Sequence, residues 1–329
     1  MVNMVKTNSM KAWLLAARPK TLTAAAVPVL IAIAYGIRDC RLATISGLMG
    51  DNGGAPSIQW IPTLLCLLFA WVMQIDSNLV NDYFDFKHGN DDETRLGPKR
   101  ACAEGWITLE AMQIGIVITT GLGCLIGLPL IFYGGLEMIG VGIACVIFCF
   151  LYTTILSYHG LGDLLVILFF GIVPVCCSYY VIMPGDMKAI TGELLLVGFN
   201  CGLVVDTLLV VNNYRDRDND RKAGKTTLVL YIIDRWGERG AEWFYLLLGI
   251  IPFLFMIVAV AVNTLTLGTA SFLMVFYSDY LILHIFAYKQ LKSINHGKEL
   301  NQVLGKTARN IFIYGITSFV VIAGSVFFM

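Results

Sequence analysis

The sequence predicts an all-α integral membrane protein, with nine transmembrane helices in one domain spanning residues 1–329. Three observations predict it. Hydrophobic residues make up 57% of the chain and charged ones 14%, against about 25% charged in a soluble domain. Apolar runs of about 20 residues, enough to cross a bilayer core of ~30 Å, recur from end to end. The short alternating segments of a membrane barrel do not occur.

The spans are expected, in order, at 21–37, 58–82, 111–132, 136–154, 161–183, 193–214, 241–263, 266–288 and 309–328. Residues 1–20 precede them as an amphipathic segment on the cytoplasmic side. The first run, "TLTAAAVPVLIAIAYGI", is kept as a helix rather than a signal peptide, because "RDCRLAT" after it does not read as a cleavage site. The second ends in "NDYFDFKHGNDD" (81–92). The third carries "GLGCLIG" (121–127), whose small residues suit close helix packing or the wall of a tunnel. The fifth opens near Asp163, and the sixth contains Asp206 and ends in "NNYRDRDNDRKAGKTTL" from Asn212. The eighth contains Asp279. Carboxylates inside spans are functional candidates by default, the alternative being a protonated group bonded between helices. Longer connections are expected at 38–57, 83–110, 215–240 and 289–308.

Charge orients the chain. With a cytoplasmic N-terminus, twenty lysines and arginines fall on inner segments and three (Arg38, Arg41, Lys188) on outer ones. That bias favours an odd number of spans and places the protein in the cytoplasmic (inner) membrane, with membrane lipid around it. Net charge is zero, which gives no footing for nucleic acid. Most of the nine cysteines lie inside spans as small apolar residues, without disulfide or zinc spacing. His159, His284 and His296 form no ligand pair and read as structural.

The acidic stretch occurs twice. Asn81, Asp82, Tyr83 and Asp85 align with Asn212, Asn213, Tyr214 and Asp216, and Gly89 falls opposite Asp220. Each copy sits at the C-terminal end of an apolar span, the second and the sixth, so both reach the same membrane face. Asn78, Asp82 and Asp85 share one helical face, as do Asn212, Asp216 and Asp220. Carboxylates this close repel and are costly to desolvate. Carboxylate and amide oxygens suit a hard divalent ion, and Mg²⁺ takes few protein carboxylates alongside water and phosphate oxygens. Two facing clusters can hold two or three Mg²⁺ around a diphosphate, with Arg95, Lys99, Arg100, Arg215, Arg221 and Lys225 on its remaining oxygens. A hydrated loop is the alternative for either copy alone, less so for a matched pair on one side. "AGKTT" lacks the glycine and strand of a P-loop. "DRDND" lacks the glycine and glutamate of a calcium loop.

At these residues the chain resembles the UbiA superfamily of intramembrane prenyltransferases. Within it, "WLLAARPKTLTAAAVPVLI" (13–31), "SNLVNDYFDFKHGND" (77–91), "RLGPKRA" (95–101), "YHGLGDLLVILFFG" (158–171) and "LGKTAR" (304–309) are similar to the 1,4-dihydroxy-2-naphthoate branch. Gly89, where the hydroxybenzoate branch has a third aspartate, fits that branch too. The loop "YTTILSYHG" (152–160) departs from it in lacking a glycine–proline character.

The resemblance implies nine helices around a central cavity. It also implies transfer of a polyprenyl chain from its diphosphate to 1,4-dihydroxy-2-naphthoate with loss of CO₂, a step of menaquinone synthesis. Asp82, Asp85, Asp216 and Asp220 would hold Mg²⁺ and Asn78 and Asn212 would complete the shell. Tyr83, Tyr152 and Phe170 are candidates to face the allylic cation. Arg18, Lys20, Lys225, Tyr152 and Asp163 are candidates for the aromatic acceptor, with interfacial anchoring the alternative for Arg18 and Lys20. Other acceptors (4-hydroxybenzoate, homogentisate, haem) keep the metal site. A transporter would place its acids near mid-membrane, and a CDP-alcohol phosphotransferase would carry a DGxxAR-type motif, which is absent.

Overall fold

Small hydroxyl residues ahead of apolar runs start the helices. Ser9 accepts from the Ala12 amide, Thr108 from Ala111, Thr191 from Leu194 and Thr227 from Leu230, each satisfying a donor the first turn leaves free. The computed structural model describes residues 5–48, 54–89, 95–154, 156–263 and 267–326. They form α1 (Met10–Ala17), α2 (Pro19–Ile45), α3 (Trp60–Lys87), α4 (Leu109–Gly134), α5 (Glu137–Thr154) and α6 (Gly162–Ile182). These are followed by α7 (Gly192–Lys222), α8 (Leu228–Trp236), α9 (Glu238–Asn263), α10 (Leu267–Ile294) and α11 (Leu300–Ser325).

Eight of the described helices are long and apolar enough to cross a membrane: α2 to α7, α9 and α11. The 28-residue α10 runs beside α9 and α11. Large apolar side chains on the outer faces, such as Ile114, Val117, Ile118 and Leu125 of α4, are exposed. Helices with such faces need lipid around them, since in hydrocarbon their backbone groups are satisfied internally. The protein is multi-pass.

The expected spans recur as helices, but several run on. α3 ends at Lys87 and α7 at Lys222, five and eight residues past the expected ends, because the acidic stretches continue the helix. α11 begins nine residues early, and α8 lies inside the expected 215–240 connection. Asn90, Asp91 and Asp92 of the first acidic stretch lie outside the described residues.

α2 packs on α11, α6 and α3, and α7 on α6, α9 and α11. The α6–α7 contact is the tightest. α6 widens into a π-helical turn at Leu168–Ile172. There, a Cβ on Gly171 would lie 2.6 Å from the Gly202 Cα, and one on Gly202 2.7 Å from the Ile167 Cα. Within "GLGCLIG", Gly123 and Gly127 rest on Met73 and Phe69 of α3, whereas Gly121 faces open space. At one membrane end, Arg38 of α2 bonds Glu193 of α7 at 2.7 Å, and Tyr179 of α6 donates to Asp39 at 2.6 Å. None of the nine cysteines is joined in a disulfide. His284 is buried between Tyr245 and Tyr280, its Nε2 3.2 Å from the Leu246 carbonyl.

Candidate active site

Helices α2 to α7 enclose a cavity of about 460 Å³, within the range of small-molecule sites. Along α3 its lining runs from Cys66 to Asn81, about 22 Å at the helical rise. Most of the wall is apolar, with Phe69, Phe148, Phe169 and Phe170 among it. The rings of Phe148 and Phe169 are 4.7 Å apart. The polar end gathers Arg18, Thr21, Ser77, Asn78, Asn81 and Asn212.

Asn78, Asn81 and Asn212 reach that polar end, and the two helix ends run on beyond it. Asn212, Asp216 and Asp220 follow each other by single turns on α7, and Asn81 and Asp85 do the same on α3. Asp85 and Asp216 are both electrostatic neighbours of Asp220, so the two copies of the motif converge. Each carboxylate has a cation. Arg100 bonds Asp85 at 2.7 Å, Arg215 bonds Asp216 at 2.8 Å, and the Lys225 Nζ lies 3.7 Å from Asp220. Arg95 reaches the same place: a Cβ on Gly97 would meet the guanidinium nitrogens of Arg215 and Arg95 at 2.9 and 3.2 Å. Asn301 of α11 clamps the cluster, accepting from Arg215 at 2.9 Å and donating to the Leu96 carbonyl at 2.8 Å.

Arg18 links α1 to α2 in the left-handed region, at φ 51°, an uncommon conformation for a residue with a Cβ. Asn78 holds the junction by donating to the Ala17 carbonyl and the Thr21 hydroxyl, both at 3.0 Å. The Arg18 Nη2 is buried without a partner. Burial first, and the Arg100 charge second, push its pKa down to about 9. It therefore stays cationic at neutral pH, in a residue that lines the cavity's polar end.

Five of the expected site residues turn to other partners or outward. Asp82 does not face the cavity. It is buried, and its two carboxylate oxygens accept from the Ala101 and Cys102 amides at 2.8 and 2.9 Å. It fixes the turn that carries Arg100. Tyr83 packs between α3 and α4, its hydroxyl accepting from Gln113 at 2.6 Å, away from the cavity. Lys99 turns outward to Glu104, Arg221 outward to Asp234, and Lys20 is exposed beyond the α1–α2 junction. Long cations at a helix end or loop extend toward water unless a buried anion holds them.

Tyr152 and Phe170 do line the cavity. Asp163 lies behind Tyr152, on a smaller chamber. The residue that the motif reading missed is Asn81. The repeat itself carried the signal, since Asn81 stands opposite Asn212, which lines the cavity too.

Among the described residues, no group of three His, Cys, Asp or Glu side chains forms a ready metal cage. The donors that do meet are amides and carboxylates from two helices, beside an excess of cations. That set fits a hard ion sharing its shell with phosphate oxygens, and Mg²⁺ takes one or two protein carboxylates in such sites.

A profile of the UbiA prenyltransferase family matches residues 42–300. The chain is 34% identical, over 71% of each chain, to 1,4-dihydroxy-2-naphthoate octaprenyltransferase of Escherichia coli K12. It is 30% identical to the protein of that name in Haemophilus influenzae, over 85% of this chain and 86% of that one. Among solved structures it resembles a UbiA homologue from Aeropyrum pernix, with a TM-score of 0.62 at 14% identity, covering 88% of this chain and 96% of that one. It also resembles a UbiA homologue from Archaeoglobus fulgidus bound to DMAPP and Mg²⁺, with a TM-score of 0.58 at 13% identity, covering 94% and 99%.

Proposed function

The chain belongs to the UbiA prenyltransferase family and is a prenyltransferase, and on that premise we propose that it joins a polyprenyl chain to 1,4-dihydroxy-2-naphthoate with loss of CO₂. The product is demethylmenaquinol, on the way to menaquinone. The observation that carries the reading is the cavity: an apolar, phenylalanine-walled length ending at Arg18 and paired asparagines, with arginine-bonded carboxylates on the next turns of the same two helices. A prenyl diphosphate has that same division, an apolar tail and a triply or doubly charged head. The relatives' names, and the A. fulgidus homologue with DMAPP and Mg²⁺, support the substrate class and the ion.

The tail lies along the apolar wall. Arg18, Arg95, Arg100, Arg215 and Lys225 bind phosphate oxygens, where charge-assisted hydrogen bonds are strongest. Asp85, Asp216 and Asp220, with Asn81 and Asn212, would hold two or three Mg²⁺. The bound magnesium supplies neutralisation of the charge that develops on the leaving diphosphate. Phe69, Phe148, Phe169, Phe170 and Tyr152 face the allylic cation with their π-clouds, and the apolar wall keeps out the water that would quench it. Arg18, with its unpartnered nitrogen, also stands within reach of the acceptor's carboxylate. The acceptor enters from the cytoplasmic face.

The test uses purified protein in detergent with Mg²⁺ and a polyprenyl diphosphate, offered 1,4-dihydroxy-2-naphthoate or 4-hydroxybenzoate. Prenylated product and CO₂ are expected from the naphthoate alone, needing Mg²⁺, with kcat reduced by about 10²–10³ in Asp85→Ala and Asp216→Ala. Product from 4-hydroxybenzoate alone would overturn the acceptor.

A further inference from the structure

Behind the cavity wall lies a second, small chamber of about 20 Å³, lined by Tyr152, Gly160, Gly162, Asp163, Leu209, Asn213 and Thr227. That is room for one water molecule, provided it finds polar partners. Partners are present. The Asp163 Oδ1 is buried with no hydrogen bond. Tyr152 lines both this chamber and the main cavity, and its hydroxyl would lie 4.0 Å from a Cβ placed on Gly162, the neighbour of Asp163.

Deeper still is Asp206 of α7, fully buried, with neither carboxyl oxygen bonded to any donor. Asp163 and Asp206 act on each other as neighbouring carboxyl groups. Both are acceptors when ionised, so they can meet only through a proton lying between them. Among the described residues neither carboxyl is bonded to a lysine or arginine. Tyr152 of α5 feels the charge of both, and also that of Asp85 of α3 and Asp220 of α7.

We propose that Asp163 and Asp206, reached through a water in the small chamber and the hydroxyl of Tyr152, form a proton store that serves the aromatic acceptor. This rests on the acceptor being a hydroxyaromatic acid, as in the reading above. The reaction has no net proton: a prenyl cation replaces the carboxylate, which leaves as CO₂. Its ring hydroxyl must nevertheless give up a proton for the ring to become a strong nucleophile, and must regain it. The acceptor's O–H proton passes to Tyr152, whose own proton moves through the water to Asp163. The carboxyl pair then holds two protons. The ring carbon bonds the allylic carbon, leaving a neutral ketone beside the carboxylate. The C–C bond to the carboxylate breaks, its electron pair restores the ring as an oxyanion, and CO₂ departs. The stored proton returns along the same path to the oxygen. A pair that already shares one proton can accept and release a second without a free charge crossing the membrane interior. Asp206 acts through Asp163 and is a positioning residue.

The test compares wild type with Asp163→Asn and Tyr152→Phe from pH 7 to 10. It uses whichever hydroxyaromatic acid the wild-type protein prenylates, so a wrong acceptor overturns the earlier reading and leaves this comparison intact. Asparagine at 163 can still hydrogen-bond Asp206, which protects the fold. If it fails to fold, Tyr152→Phe carries the test alone. At pH 7 the expected loss in kcat is about 10²–10⁴, the usual contribution of general acid–base catalysis, with prenyl diphosphate affinity unchanged. The ratio to wild type should shrink by at least about tenfold near pH 10, where a phenolic hydroxyl ionises unaided. A deficit of equal size at every pH, unchanged kcat, or lost prenyl diphosphate binding would each overturn the relay.

Discussion

Arg18 sets a pH limit on substrate binding. An ordinary arginine stays charged beyond pH 12, but burial and the Arg100 charge bring this one down to about 9. A cation with a lowered pKa attracts an anion below that value and loses the attraction as pH rises through it. Affinity for a polyprenyl diphosphate, followed by calorimetry in detergent, should therefore fall between about pH 8 and 10, and Arg18→Ala should bind more weakly at pH 7 and lose that step. An affinity constant up to pH 10.5 would rule this role out. At the same scale, residue types were easier to read in the sequence than directions. The spacing allowed Asn78, Asn81, Asp82 and Asp85 onto one broad arc of α3. Only the fold tells that Asp82, at one edge of the arc, turns to the Ala101 and Cys102 amides while Asn81 turns to the cavity. Both partners of Asp82 are backbone groups some twenty positions on, which spacing does not reveal. Arg18 was legible as a cation near the first span. Its left-handed backbone was not, because nothing local demands it.

The α6–α7 pair shows what an element needs from its neighbours. Gly171, Gly198 and Gly202 let two backbones meet, and each would put a Cβ within 2.8 Å of backbone atoms on the other helix. Backbone cannot yield as a flexible side chain does, so Gly202→Leu must push the helices apart. A loss of about 1–3 kcal/mol or more is expected for such overpacking, read as a lower midpoint of thermal unfolding in detergent. Product formation should fall with it, because α6 and α7 both line the cavity. Gly121→Leu, which faces open space, is the control and should leave both unchanged. Hydropathy located these helices to within a few residues where lipid sets the end, as at Glu137–Thr154. It lost them where polar sequence carries the helix on, in α3, α7 and α11, and it missed α8, whose nine residues are too short to register as a span.

For the whole molecule, the charge bias predicts which side each connection faces. A cysteine at Ser46 should react with a membrane-impermeant maleimide only from outside the cell, and one at Lys298 only after the inner face is opened. Both positions are exposed. Labelling of both from one side would contradict the odd number of spans expected between Ser46 and Lys298. The arrangement of a cavity among six helices was legible only through resemblance, since periodicity says which residues are apolar and not which helices adjoin.

The length of α7 has a larger consequence. Its 31 residues make a rod of about 46 Å, against a hydrocarbon core of ~30 Å. Its last turns, carrying Asp216 and Asp220, therefore rise as a collar among the lipid headgroups, and the end of α3 stands beside them. A long-chain isoprenoid anchored in the bilayer would keep its head at the height of that collar while its tail slides in from the oil below. The molecule works as a meeting place of two solvents. In the proposed reaction the salt-loving half of the chemistry would stay on the wet side, the cation would be made on the dry side, and the greasy product would already be home when it forms.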